Sequence, residues 1–212
     1  MKINMTLYFD VDNVLLNFNN AFIEYWNSGV DSGRWDSMIK IPQKFNNWNY
    51  DFVPGSKDHE VYSSAMDAFH KEVRSFPLME ETIPQVMSQL HQYYKIVLVS
   101  AYPKEYYDDR VENLTRLQIP YDELHCGIED KLGFITSRHD NMVRQSGDYP
   151  GESRSDVVAL FEDSPYTLAA YIERYPRLTW CPRLHAEYSR HLEGDSRIKV
   201  YDSAVEWLYL II

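Results

Sequence analysis

The segment Thr6-Leu7-Tyr8-Phe9-Asp10-Val11-Asp12-Asn13-Val14 begins as a compact β-prone run and ends on two acids. Aromatic and β-branched residues suit a pleated, buried strand. A two-residue spacing puts the Asp10 and Asp12 carboxylates on one side of an extended chain. Lys95-Ile96-Val97-Leu98-Val99 is a second such run, and it ends at Ser100. It is apolar on both faces, which is what a central parallel strand requires. Val157-Val158-Ala159-Leu160-Phe161 is a third and closes on Glu162-Asp163. Weaker strand signals lie at Glu123-Leu124-His125-Cys126, Leu178-Thr179-Trp180-Cys181 and Ile198-Lys199-Val200-Tyr201.

Helical patterns separate these runs. Ile83-Pro84 to Tyr94 carries Pro near its first turn and Val86, Met87 and Leu90 on one face. Further helices are predicted from Lys104 to Leu117 and from Ser164-Pro165 toward Arg174. Strands alternating with helices predict an α/β fold, a Rossmann-like parallel sheet with helices on both faces. In such sheets functional groups collect beyond the carboxyl ends of the strands. Asp10, Asp12, Ser100, Glu162 and Asp163 all fall at those ends.

Residues 18–77 break the alternation. They read as a helix from Phe18 to Trp26, an aromatic stretch with Trp35, Trp48 and Tyr50, and a helix from about Asp58 to Arg74. The expected organisation is a catalytic core of residues 1–17 and 78–212 with a helical cap inserted at 18–77. Residues 144–156 are rich in Gly, Ser, Asp and Pro and predict a loop. The terminal Trp207-Leu208-Tyr209-Leu210-Ile211-Ile212 predicts a helix end docked on the core, too short to span a membrane.

Bulk composition narrows the function classes. With 44% hydrophobic and 25% charged residues, the 212-residue chain has the material for a globular core. A net charge of −11 argues against duplex nucleic acid as a partner, because that surface needs a field of Lys and Arg. It leaves room for a small anionic substrate held by a metal ion and one or two fixed cations. Two cysteines, Cys126 and Cys181, without CxxC spacing, predict buried free thiols and a reducing, cytoplasmic setting. No signal-peptide pattern or membrane span is predicted at the N-terminus or elsewhere.

An Asp-x-Asp at a strand end is a weak signal alone; its weight comes from the ordered company of Ser100, Lys131 and Glu162-Asp163. Phosphoryl transfer needs an anionic nucleophile, a divalent cation, a fixed cation and a proton donor for the leaving oxygen. Carboxylates and water suit Mg²⁺. Ordinary structural roles compete at each position. Ser100 can cap the helix that follows, Glu162-Asp163-Ser164-Pro165 is itself a helix start, and Lys131 can be a solvated lysine. His125 and His139 lack a partner at ligand spacing. Trp35, Trp48 and Tyr50 suit the core of a small helical module as well as stacking on a base.

The ordered set Asp10-Val11-Asp12-Asn13-Val14, Ser100, Lys131 and Phe161-Glu162-Asp163-Ser164 resembles the haloacid dehalogenase superfamily of phosphatases. The resemblance covers the core and leaves the insertion unmatched. It implies Asp10 as nucleophile and Asp12 as general acid/base, with an aspartyl-phosphate intermediate. It also implies substrate binding by Ser100, Ala101, Asn13 and Lys131. Mg²⁺ would be held by Asp10, the backbone carbonyl of Asp12 and Asp163, with Glu162 beside them. Two departures stand out. Asn13 occupies a place where glycine is commonest, and Lys131 lies far enough from Asp163 that Arg138 or Arg144 can substitute for it. The resemblance to nucleotidase-like members implies a small phosphorylated metabolite, preferably a nucleoside monophosphate. A sugar phosphate, a phosphomutase reaction and a non-catalytic phosphate-binding module are the alternatives. A receiver domain fits less well, because its phosphoacceptor aspartate follows a middle strand, and no GxGxxG supports dinucleotide binding. Oligomeric state is left open.

Overall fold

The computed structural model describes residues 6–37, 39–41, 57–146, 159–174, 181–184, 198–201 and 203–211. Its centre is β1 (Thr6–Phe9), flanked on one side by β2 (Lys95–Val99) and on the other by β4 (Ala159–Phe161). With β3 (Glu123–His125) these form a wholly parallel sheet in the order β3-β2-β1-β4. Phe9 is opposite Leu98 on one side and Phe161 on the other, so Asp10, Ser100 and Glu162 emerge at one edge.

Side chains alternate across each strand and build two apolar layers. Leu7, Phe9, Ile96, Leu98 and Phe161 share one cluster with Leu90 of α3 (Ile83–Tyr93), Leu114 of α4 (Tyr107–Arg116) and Trp207 of α7 (Glu206–Ile211). Tyr8, Val97, Val99 and Leu160 face the other way, onto Ile135 of α5 (Lys131–Ser146) and Leu168 of α6 (Pro165–Arg174). Phe9 and Phe161 stack with centroids 3.9 Å apart, and Trp207 lies 5.0 Å from Phe161. Glu80 holds the start of α7, accepting from Ala204 N and Ser203 Oγ at 2.7 Å each.

Some boundaries differ from the sequence expectation. The helix after Pro103 starts as a 3-10 turn (Lys104–Tyr106) before α4. The loop expected from residue 144 begins later, because α5 continues to Ser146, and residues 147–158 lie outside the described part. Of the strand expected at 178–181, residues 178–180 lie outside the described part; the described strand β5 (Cys181–Leu184) pairs in parallel with β6 (Ile198–Tyr201). Pro182 sits inside it, a residue that demotes any strand signal and is tolerated only where a ladder hydrogen bond is dispensable. Cys126 is buried and free, whereas the Cys181 side chain lies outside the described part.

Between β1 and α3 the chain builds α1 (Phe18–Asp31), α2 (Lys57–His70) and a 3-10 turn (Val73–Ser75). Phe22 of α1 packs 5.2 Å from Phe69 of α2 and 5.5 Å from Tyr62. Trp35 lies against Gly29, where an added Cβ would meet the indole at 1.7 Å, and stacks on Trp26 at 6.5 Å. It is therefore a packing residue of this helical unit; Trp48 and Tyr50 lie outside the described residues. The chain leaves the sheet layer and returns to it at one place. Asn17 N donates to Pro77 O at 2.9 Å, Met79 N donates to Leu15 O at 2.8 Å, and Leu16 bridges Leu78. Among the described residues, no helix is long and apolar enough to cross a membrane.

Candidate active site

The two acids of the first strand end are held by a tight backbone loop. Asp10 N donates to Phe161 O at 2.8 Å, continuing the β1–β4 ladder by one residue. Asn13 then adopts φ 60°, in the left-handed region, and its N–H donates to Leu16 O at 2.6 Å. Asn enters that region at smaller cost than most residues, which accounts for its use where glycine is common. Its Oδ1 accepts from Asn19 N at 2.8 Å, so it satisfies an amide in the first turn of α1.

Three carboxylates meet behind this loop. Oxygens of Asp10, Glu162 and Asp163, all buried, lie within 4.8 Å of one another. Lys131, at the start of α5, reaches in with Nζ 2.7 Å from Asp10 Oδ2 and 3.1 Å from Glu162 Oε2. The other Asp10 oxygen accepts from Val11 N at 2.7 Å. Glu162 Oε1 accepts from Asp163 N at 3.1 Å and Ser164 N at 2.9 Å, and Ser164 Oγ accepts from Thr167 N in the first turn of α6. The segment after β4 is thus both a helix start and an acidic site.

Burial pushes the Asp10 carboxyl up to about 8 against the opposing Lys131, with Glu162 and Asp12 adding to the rise. Burial also raises Glu162. Desolvation alone would lower Lys131, but Asp10 and Glu162 hold it well above its ordinary value. One ammonium against three buried carboxylates leaves the cluster short of positive charge. An all-oxygen donor set of this kind fits a hard divalent cation such as Mg²⁺. The Asp12 carboxylate is not one of the three.

Asp12 points elsewhere. Arg110 of α4, fully buried, places Nη2 at 2.8 and 3.0 Å from its two oxygens, and Ser100 Oγ donates to Oδ2 at 3.1 Å. Ser100 in turn accepts from Tyr102 N at 3.0 Å and is fully buried. A cavity of about 360 Å³ opens over these groups. Asp10, Asp12, Asn13, Lys131, Asp163 and Ala101 line it from the sheet side, with Tyr102 and Pro103. Phe18 and Asn19 of α1 and Tyr62, Met66 and His70 of α2 form the opposite wall. Of the residues expected from sequence, Ser100 and Glu162 do not line the cavity and are fully buried on its sheet side.

Arg138 is committed away from the cavity, with Nη2 2.7 Å from Glu123 Oε2. His125 is 2.9 Å from the same carboxylate, and the Arg144 side chain lies outside the described part. The sequence reading did not single out Arg110, although a signal existed. Tyr106, Arg110, Asn113, Leu114 and Leu117 fall on one helical stripe that is buried or partly buried, and Arg110 is a charge on that stripe.

The parallel four-stranded architecture agrees with that of several solved structures. A haloacid dehalogenase-like family hydrolase from Streptococcus pneumoniae superposes with TM-score 0.64 at 12% identity, covering 98% of each chain. A predicted phosphoglycolate phosphatase from Haemophilus somnus 129pt superposes with TM-score 0.61 at 12% identity, covering 99% of each. A family hydrolase from Deinococcus radiodurans R1, with bound phosphate and sodium, gives TM-score 0.55 at 15% identity over 95% of this chain and 92% of that one. No protein-family model and no curated protein matches the sequence. The chain has the haloacid dehalogenase-like hydrolase fold.

Proposed function

We propose that this protein is a Mg²⁺-dependent phosphomonoester hydrolase that works through an aspartyl-phosphate on Asp10. The observation that carries the reading is the convergence of Asp10, Asp12 and Lys131 on one cavity, with Asp10, Glu162 and Asp163 clustered within 4.8 Å. Asp10, Asp163 and Glu162, with the Asp12 carbonyl, would hold the metal, which would neutralise phosphate oxygens. The Asp10 oxygen attacks phosphorus as the ester P–O bond breaks, and the departing oxygen takes a proton from Asp12. Water then gives a proton to Asp12 and attacks phosphorus. The P–O bond to Asp10 breaks, returning the carboxylate and releasing phosphate. Lys131 supplies the fixed cation beside the transferring group. An acid at position 12 favours this chemistry over carbon–halogen cleavage, because an ester oxygen needs a proton and a halide does not.

A small phosphorylated metabolite suits a cavity of about 360 Å³. The aromatic side chains Phe18, Tyr62 and Tyr102 in its walls favour a nucleoside monophosphate, whose base offers a flat apolar face. A sugar phosphate fits the volume equally, and the similarity to a predicted phosphoglycolate phosphatase from H. somnus supports a small phosphorylated substrate. A panel of phosphomonoesters assayed with and without Mg²⁺ tests the reading. Asp10→Asn should stay folded and lose essentially all turnover, because an amide cannot form the acyl phosphate. Persistent Mg²⁺-dependent activity in that variant would sink the assignment.

A further inference from the structure

Arg110 is the largest charged side chain in the core, and its surroundings are unusual. Its guanidinium carbon is 4.2 Å from the centre of the Tyr102 ring and 5.6 Å from that of Phe76. Nε and Nη1 are buried and make no hydrogen bond among the described residues. Only Nη2 is engaged, and it spans both oxygens of Asp12. The aromatic faces hold the cation in place, while among the described residues its ion pair is with Asp12.

A stripe position of this kind, four residues before buried Leu114, would ordinarily carry an apolar residue. Replacing a buried ion pair by packed hydrophobes is often neutral or stabilising. Arg110 is therefore a poor choice for stability alone. What it does provide is orientation. Asp12 cannot swing away without leaving a buried guanidinium uncompensated, so the plane of its carboxylate is set from α4. The slot is also braced by α2. Tyr102 Oη donates to His70 O at 2.6 Å, and Phe76 stacks on Phe69 at 4.7 Å.

We propose that Arg110 is a positioning residue, which aims the Asp12 carboxylate at the leaving oxygen for proton transfer. The assignment rests on the phosphatase reading above. The test compares methyl, phenyl and 4-nitrophenyl phosphate with Mg²⁺ in wild type, Arg110→Met and Arg110→Lys. Met fills the aromatic slot without charge, and Lys keeps the charge without the planar group. In Arg110→Met, kcat for the poor leaving groups should fall on the order of 100-fold and for 4-nitrophenyl phosphate by less than about tenfold, since good leaving groups need little protonation. KM and vanadate affinity should stay near wild type, and Arg110→Lys should recover part of the lost kcat.

An equal loss for all three esters, or a loss confined to KM, in protein that melts normally would overturn the positioning role. Where Arg110→Met fails to fold, the same comparison in Arg110→Lys decides. Asp10→Asn runs alongside as the control. Wild type without Asp10-dependent turnover on any ester overturns the phosphatase reading and the role of Arg110 with it. Asp10-dependent turnover with a flat leaving-group response overturns Arg110 alone.

Discussion

Lys131 Nζ sits 2.7 Å from Asp10 Oδ2, where a phosphate flanked by several carboxylates would need a cation. Arg138, the alternative at the level of sequence, is bound to Glu123 outside the cavity. Lys131→Ala should therefore weaken phosphate binding and turnover by on the order of 2 kcal/mol or more, as when a charged partner leaves a desolvated site. Arg138→Ala should change turnover little. Steady-state kinetics with inorganic phosphate as a competitive inhibitor measure both effects, and a silent Lys131→Ala would relocate the cation. Residue by residue, the site was legible where chemistry and chain order coincide. Asp10, Asp12, Lys131 and Asp163 each follow or approach a strand end, and all four line one cavity. Arg110 escaped because a helix on the rim gives no strand-end cue, and a lone charge on an apolar stripe reads as an interrupted pattern. Ser100 was legible as a hydroxyl at the end of β2, but its burial under Asp12 depends on α4, which only the assembled fold brings there.

At the level of elements, β3 carries a cluster of charged contacts on Glu123. Glu123 takes Lys95 of β2 at 2.5 Å, Arg138 of α5 at 2.7 Å and His125 at 2.9 Å. Burial pushes the Glu123 carboxyl up, but hydrogen bonds from Lys95 and His125, together with the Arg138 charge, outweigh it and hold it at about 2. A carboxyl depressed by folding adds stability that is complete above its unfolded value of roughly 4.3 and vanishes as pH falls through its folded value. Glu123→Gln should thus lose about 1 kcal/mol at neutral pH, a modest figure because the group is partly solvated. The gap to wild type should stay constant from pH 7 to about 5 and close between roughly pH 4 and 2. Urea midpoints across that range measure it, and a gap independent of pH would assign the loss to packing. The central elements were legible because β1 and β2 are apolar on both faces. The ends were less so: the residues at 144–146 look like loop yet finish α5, because the helix propensity of their neighbours outweighs single turn-formers.

At the scale of the whole molecule, the cavity is bounded by two bodies. The sheet edge carries the acids and Lys131, and α1 and α2 carry Phe18, Asn19, Tyr62, Met66 and His70. The chain passes between them at adjoining points, joined by the Asn17–Pro77 and Met79–Leu15 hydrogen bonds. That arrangement suits a hinge, which the proposed aspartyl-phosphate cycle needs, since its first step is favoured by a dry site and its second must admit water. The apolar core opposes a wide opening. Phe18 of the insertion contacts Tyr102 of the core at 6.4 Å, and across the same boundary Tyr102 Oη donates to His70 O and Asn113 Nδ2 to Phe76 O. A small rotation that keeps these contacts is the motion the packing permits. With Mg²⁺ and vanadate bound, the amides of α1 and α2 should therefore exchange more slowly, because the ligand bridges both walls of the cavity. Those of α3, which packs under the sheet away from the cavity, should exchange at an unchanged rate. Hydrogen exchange followed by peptide mass spectrometry distinguishes the two regions. Equal protection of α1, α2 and α3 would indicate global stabilisation by ligand binding, and no protection of α1 or α2 would show that residues 18–77 do not close over the site.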